Sequence, residues 1–204
     1  MAGMGLQKNA KLAIAVVLAI LAAGIAYFYI SQPKPVDAYH MHANFLVVLN
    51  GTAFNFSQDK YVSAKDKPSN PYFHLHDGNG GLMHQHAGGL DMAYFFRTLK
   101  MSFNSSCFAD DANNSYCSNS RASLRMFVQH ASQSMQENFH LGSYQFSDLD
   151  RMLIIYGNES DAQINSIFAQ VTDDACIESG KCPERGKPEG EAGGCSADSG
   201  KCEA

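Results

Sequence analysis

The sequence contains no cluster of lysine and arginine residues, and its 15 basic residues are outnumbered by 20 acidic ones, for a formal net charge of −5. Binding to the phosphate backbone of nucleic acid requires a positive surface, so nucleic-acid binding is not expected. Cys-x-x-Cys pairs, phosphate-binding glycine loops, haem-attachment motifs and Ser/His/Asp motifs are also absent. These absences argue against thioredoxin-like redox centres, nucleotide hydrolysis and serine-type hydrolysis.

The first acidic residue is Asp37, and no charged residue interrupts the apolar segment 12–30, LAIAVVLAILAAGIAYFYI. A helix of this length rises about 28 Å, which matches the hydrocarbon thickness of one bilayer. A cleaved signal peptide would end in a small-x-small site, whereas this segment ends in Tyr-Phe-Tyr-Ile. A pilin-like helix would continue into the domain, but Pro33 and Pro35 interrupt it. We therefore expect a retained transmembrane helix.

The lysines before this segment predict its orientation. Lys8 and Lys11 precede it without any acidic residue, and this bias keeps the N-terminus cytoplasmic. Everything that follows is then expected on the extracytoplasmic face of the cell membrane, in a chain long enough for one domain with its own core. The predicted organisation is a cytoplasmic N-terminus 1–11, a transmembrane helix 12–30, a linker 31–39, a domain 40–171 and a flexible tail 172–204.

All six cysteines lie beyond the predicted anchor, which fits an oxidising compartment. Cys107 and Cys117 bracket a polar loop that a disulfide would close. The tail holds two similar segments, CIESGKC and CSADSGKC, whose cysteines are Cys176, Cys182, Cys195 and Cys202. Two small disulfide loops are expected there rather than a four-cysteine zinc site, because such sites use pairs about two to four residues apart.

The segment beyond the anchor is also rich in Asn-x-Ser/Thr sequons. They begin at Asn50, Asn55, Asn104, Asn113 and Asn158. Their number exceeds the chance expectation and favours glycosylation of an exterior surface, although a general richness in asparagine and serine is the alternative explanation.

Several segments have the pattern of β-strands. Residues 43–49, ANFLVVL, are apolar on both faces, as in a central strand that is buried on both sides, and Asn50-Gly51 then predicts a tight turn. Residues 72–87, YFHLHDGNGGLMHQHA, read as a hairpin around a glycine-rich turn. Residues 123–129 and 151–156 are further strand candidates.

Two helices are predicted. Residues 91–99 place Met92, Phe95, Phe96 and Leu99 on one buried face. A second helix begins at Ser160, where Ser-Asp-Ala-Gln fits a capping box. The predicted fold is therefore α+β: an N-terminal transmembrane helix, then one mainly antiparallel β domain (a small sheet, barrel or sandwich) with two helices, and a disordered cysteine-containing tail.

Six of the eight histidines occur in His-x-His pairs, far more pairs than random placement would give. Residues i and i+2 of a strand share one face about 6.6 Å apart, so two such imidazoles can converge on one ion. The sequence therefore predicts a transition-metal site. Its predicted ligands are His40, His42, His74, His76, His84 and His86.

The predicted hairpin brings two of these pairs together. If His76 lies opposite His84, then His74 lies opposite His86 and the loop is reduced to residues 79–81. All four imidazoles then leave the same face with cross-strand Cβ separations of about 5 Å. A neighbouring strand with the first pair would complete a six-histidine surface.

The neighbouring residues refine this site. Met41, Met83 and Gln85 alternate onto the opposite face, which argues against a mixed His/Met copper site. Asp77 and Asp91 are the carboxylates that could support the ligands or act as a base beside the ion. An imidazole-only set suits zinc, copper(II) or nickel without choosing among them, and the exterior location favours copper or zinc. The other two histidines, His130 and His140, are isolated and are not expected to be ligands. A polar sheet face with purely structural histidines is the alternative.

The motifs H-x-H-A near the anchor, HLHD followed by G..H-x-HA, the Phe-Phe helix and the CxxxxxCPERG tail together resemble an uncharacterised family of membrane-anchored prokaryotic, archaeal proteins. The resemblance covers most of the domain and implies that the three His-x-His pairs form one site. The His-Leu-His-Asp motif differs from the His-x-His-x-Asp-His of metallo-β-lactamases, and the cysteine-containing His-x-His of multicopper oxidases is missing.

The leading hypothesis is an extracytoplasmic transition-metal-binding protein for sequestration, delivery or electron transfer. Its partners would be the lipid bilayer and a copper or zinc ion. The alternatives are a redox or hydrolytic metalloenzyme and a disulfide-stapled surface or adhesion protein. The enzyme hypothesis requires an open coordination position and a nearby general base.

Overall fold

The structure is a computed structural model that describes residues 40–62, 70–75 and 78–188, together with Leu18 and Leu21. The chain divides into two compact units, Met1–Pro35 and Val36–Ala204, and the architecture below is that of the second. Apart from two leucines, the predicted anchor 12–30 lies outside the described residues. Within the described part of the chain, no helix is both long enough and apolar enough to cross a bilayer.

The domain is α+β, as predicted. The strands are β1 Met41–Leu49, β2 Thr52–Ala53, β3 Phe73–Leu75, β4 Leu82–Gln85, β5 Ser102–Phe103, β6 Cys107–Ala109, β7 Ser115–Cys117, β8 Ser123–Gln129, β9 Gln136–Glu137 and β10 Arg151–Gly157. The helices of the described residues are α1 Met92–Thr98, α2 Asp161–Phe168 and α3 Ala175–Glu178, with a 3-10 turn at Leu141–Ser143.

A seven-stranded sheet forms the centre of the domain. Its order is β3-β4-β1-β10-β8-β9, with β2 paired to β1 beyond the turn at Asn50-Gly51, where both residues have positive φ. Strands β1 and β10 run parallel, and the other pairs of this sheet are antiparallel. The sheet is therefore mainly antiparallel, with one parallel pair that sequence analysis did not predict.

Alternation along β1 buries apolar side chains on both faces of the sheet. Ala43, Phe45 and Val47 belong to the larger core with helix α1, whereas Val48 belongs to a second core with helix α2. The prediction of a central strand buried on both sides is thus confirmed. The even-numbered side chains of β1 share the α2 face, and His42 is one of them.

Both predicted helices are present, and each begins directly after its capping residue. Asp91 caps α1 by accepting a hydrogen bond from the Tyr94 N–H at 2.8 Å, and Ser160 begins α2 with the predicted capping box. A bidentate ion pair between Arg125 and Glu137 joins β8 to β9. These contacts fix the two helices and the edge of the sheet.

A small second sheet, β5-β6-β7, follows α1. Cys107 and Cys117 lie opposite each other in β6 and β7 and form the predicted disulfide. The disulfide therefore joins two residues that are directly opposite each other in the hairpin.

Residues 172–188 were expected to belong to a flexible tail, but in the structure they pack against the domain. There, α3 packs on β1, and the Cys176–Cys182 disulfide predicted from the sequence closes the following turn. Asn44 donates to the Thr172 hydroxyl at 2.8 Å and accepts from the Ala175 N–H at 2.9 Å. Polar contacts rather than an apolar pattern hold this segment, which explains why the sequence did not reveal it. Cys195 and Cys202 lie outside the described residues.

Candidate metal centre

Three neighbouring strands carry the histidines on one face of the sheet. Strand β4 lies between β1 and β3, and the register sets His84 opposite His42 on one side and opposite His74 on the other. The middle ring lies 4.3 Å from the His42 ring and 5.0 Å from the His74 ring, measured between centroids. The three side chains therefore form a row across the sheet.

The predicted register of the hairpin is wrong by two residues, since His74 and not His76 lies opposite His84. A shift by an even number keeps every side chain on its face, so the histidines still converge. The position of the turn is set by a contact with a distant segment. A Cβ added at Gly80 would lie 2.4 Å from the Phe56 carbonyl carbon, so the turn packs directly against that backbone. His76 itself lies outside the described residues.

A second row lies beside the first. The pairing of Met41 with Gln85 brings His40 next to His86, and their stacked rings are 5.4 Å apart. The His86 ring also lies 4.1 Å from that of His84. Five imidazoles thus form one continuous cluster.

Burial distinguishes the members of this cluster. His42, His74, His84 and His86 are between 1% and 6% exposed, whereas His40 is exposed. Burial disfavours the charged imidazolium, and metal ions bind the neutral ring. The cluster is therefore suited to a cation and has one member accessible from solvent.

Two groups of ligand atoms could each hold an ion: His40, His42 and His84 form one, and His74, His84 and His86 form the other. Within each group the ligand atoms all lie within 4.8 Å of one another. Metal–nitrogen bonds of about 2.0–2.1 Å place tetrahedral ligand atoms about 3.3 Å apart, a difference that small ring rotations can close. Both groups consist of histidine alone.

Helix α3 and its disulfide-closed turn bring Ser179 to His42. The Ser179 hydroxyl donates its single hydrogen to Asp148 Oδ1 at 2.7 Å, so it accepts from His42 Nδ1 at 3.0 Å. The proton of the His42 ring is thereby held on Nδ1, and Nε2 is the nitrogen that could bind a metal ion.

Asp148 is the anchor of this arrangement. Burial alone would raise the pKa of this carboxyl, but hydrogen bonds from Lys181, the His42 N–H and Ser179 outweigh it and lower the pKa. The ionised carboxylate is an acceptor only, which fixes the direction of the Ser179 hydrogen bond.

His74 is oriented in the same way by the backbone. Its Nδ1 lies 2.8 Å from the carbonyl oxygen of Asn70, which can only accept a hydrogen bond. Nδ1 therefore carries the proton, and Nε2 would be the ligand atom, as in many metal-binding histidines.

The remaining candidates lie elsewhere. Asp77 is outside the described residues, and Asp91 caps α1. His130 Nδ1 lies 2.7 Å from the buried Asp150, and His140 is an exposed residue at the 3-10 turn. Neither belongs to a group of ligand atoms. Met83 packs in the larger core on the opposite face, as strand alternation predicts.

The residues that orient the rings were not predicted from the sequence; they are Ser179, Asp148 and Asn70. They are separated from their histidines by 137, 106 and 4 positions respectively. Only the closed turn of the tail gave a local signal, the spacing of Cys176 and Cys182.

Comparisons with family models, with curated proteins and with solved structures found no match to this chain.

Proposed function

We propose that this protein is a membrane-anchored, extracytoplasmic transition-metal-binding protein. The observation that carries the proposal is the cluster of five imidazoles on β1, β3 and β4, whose ligand atoms form two overlapping groups. Two rings have hydrogen-bond partners at Nδ1, which would make Nε2 the metal-binding nitrogen. Metal-binding histidines commonly donate their other ring N–H to such a partner.

Copper or zinc is the metal that we propose. Neutral imidazole is a good ligand for both ions, whereas magnesium and calcium prefer oxygen ligands. Thiolate ligation is not part of this proposal, because the described cysteines form disulfides.

Sequestration or delivery of the ion is the role that the cluster supports best. Four buried rings would retain the metal ion. The exposed His40 would be the first ligand that a donor group of a delivery partner could replace. No carboxylate joins either group of ligand atoms among the described residues.

The exterior location is supported by two features of the domain. Cys107–Cys117 and Cys176–Cys182 form disulfides, which persist in oxidising compartments. The five sequon asparagines are all exposed, as glycosylation would require; they are Asn50, Asn55, Asn104, Asn113 and Asn158. With segment 12–30 as the anchor, the domain would be tethered at the outer face of the membrane, with the N-terminus in the cytoplasm.

Metal analysis of the full-length chain tests this function. The protein is purified in detergent, equilibrated with Cu(II) or Zn(II), dialysed, and its metal content measured per chain. The wild type should retain metal, and the His42→Ala/His84→Ala variant should lose most of it because both groups are broken. His140→Ala, which removes an exposed histidine outside both groups, is the matched control and should bind like the wild type. Retention of metal by the double variant would refute the proposal.

A further inference from the structure

His84 has a special position among the five imidazoles. It is the one residue that belongs to both groups of ligand atoms. Its ring lies 4.8 Å from that of His40 and 4.3 Å from that of His42 on the β1 side. On the β3 side it lies 5.0 Å from the His74 ring, and it lies 4.1 Å from the ring of His86, which comes directly after β4. Each other ring belongs to only one group.

The spacing of the strands separates the two groups. Neighbouring strands lie about 4.8 Å apart, so β1 and β3 are about 9.6 Å apart with β4 between them. With bonds of about 2.1 Å, the donor atoms around a single ion lie at most about 4.2 Å from one another. An ion on the β1 side is therefore served by His40 and His42. An ion on the β3 side is served by His74 and by His86, which follows β4 and belongs to the same group of ligand atoms as His74.

We propose that the cluster binds two transition-metal ions and that the His84 ring bridges them, with one nitrogen bound to each ion. This inference rests on the proposed function and specifies the number of ions and their shared ligand. An imidazole ring has two nitrogens whose lone pairs point in different directions, so one ring can serve both groups only by using both. The proton of the neutral ring leaves to solvent when the second ion binds.

The bridge has two structural consequences. Two bonds of about 2 Å, added to the separation of the ring nitrogens, place the ions about 6 Å apart. Each ion then has three protein ligands, two from one side of the cluster and His84, and a further position is left for water or for a donor group of a delivery partner. The two ions would therefore be electronically coupled through one ring.

The experiment uses Cu(II) as the probe and the full-length chain. The metal-free protein is titrated, dialysed, and analysed both for copper per chain and for the copper visible by electron paramagnetic resonance. The wild type should bind two ions and give a spin count well below its copper content, because an imidazolate bridge couples the two spins antiferromagnetically.

Two complementary variants separate the sides of the cluster. His40→Ala/His42→Ala should keep one ion, and His74→Ala/His86→Ala should also keep one. In both variants the spin count should rise to equal the copper content. Far-UV circular dichroism verifies that each variant is folded, and the wild-type measurement alone tests the bridge if one variant fails to fold.

The outcomes distinguish this inference from the function it rests on. One ion per chain at saturation, or two ions whose spin count equals the copper content, would overturn the bridged pair and leave metal binding intact. A wild-type chain without copper would overturn both.

Discussion

Replacement of Ser179 by alanine should weaken metal binding although this residue is not a ligand. The change removes the hydroxyl that accepts from His42 Nδ1 at 3.0 Å and donates to Asp148 at 2.7 Å. Without that acceptor, the ring is no longer held with its proton on Nδ1, and it can rotate away from the geometry that presents Nε2.

The magnitude follows from the role of such supporting contacts. Removing a group that orients a metal-binding histidine typically costs about 10–100-fold in metal affinity. This corresponds to about 1.4–2.8 kcal/mol of binding free energy. The loss should be confined to the β1 side of the cluster, because His74 is oriented independently by the Asn70 carbonyl.

Competition with a chelator of known affinity measures this effect with Zn(II) as the probe. Ser179→Ala should raise the dissociation constant of the β1-side ion by about 10–100-fold. Ser179→Thr keeps a hydroxyl and should restore most of the affinity, and Ser134→Ala, at an exposed serine between β8 and β9, is the matched control. An unchanged affinity in Ser179→Ala would show that this hydrogen bond does not orient the ring.

Three further predictions concern the framework of the site. Gly80→Ala should destabilise the domain by about 1–3 kcal/mol in thermal unfolding, since its Cβ would lie 2.4 Å from backbone atoms, whereas Gly81→Ala, with nothing nearer than 3.5 Å, should be tolerated. Equal melting temperatures for the two variants would contradict the close approach. Cys176→Ser/Cys182→Ser opens the turn that carries Ser179, so it should both lower the stability of the domain by about 2 kcal/mol and weaken its affinity for metal. A normal metal affinity in this variant would show that the disulfide does not support the site. Glu137→Gln should cost about 0.2–1 kcal/mol near neutral pH. Its hydrogen-bonded arginine holds the pKa of this carboxyl below its usual 4.5, so this contribution is present above that value and is lost as the pH falls through the lower, folded pKa. A variant deficit that persists in acid would contradict this assignment.

Those parts of the fold with a strong local pattern were predictable. The apolar run of β1, the strand β8 and the capping box at Ser160 each specify their element within about ten residues. The parallel pairing of β1 with β10 is different, because residues more than 100 positions apart meet there, as in the pair Asn44 and Arg151. No local pattern records such a pairing.

Five of the six predicted histidines lie together in the structure, whereas the predicted register of the hairpin was wrong. Strand alternation specifies which face a histidine occupies, and a two-residue shift leaves that face unchanged, so alternation could not choose between the two pairings of β3 with β4. The turn depends on its contact with Phe56, which is distant in sequence. The support from Ser179 was hidden for a similar reason, since polar contacts such as those of Asn44 leave no apolar period.

X-ray absorption at the metal edge tests the central claim most directly. The full-length chain loaded with Cu(II) or Zn(II) should show nitrogen neighbours at about 2.0–2.1 Å and the outer scattering of imidazole rings. Three imidazoles per ion is the expected number, from the two groups that share His84. A spectrum dominated by sulfur at about 2.3 Å, or by oxygen without imidazole scattering, would contradict a histidine metal centre.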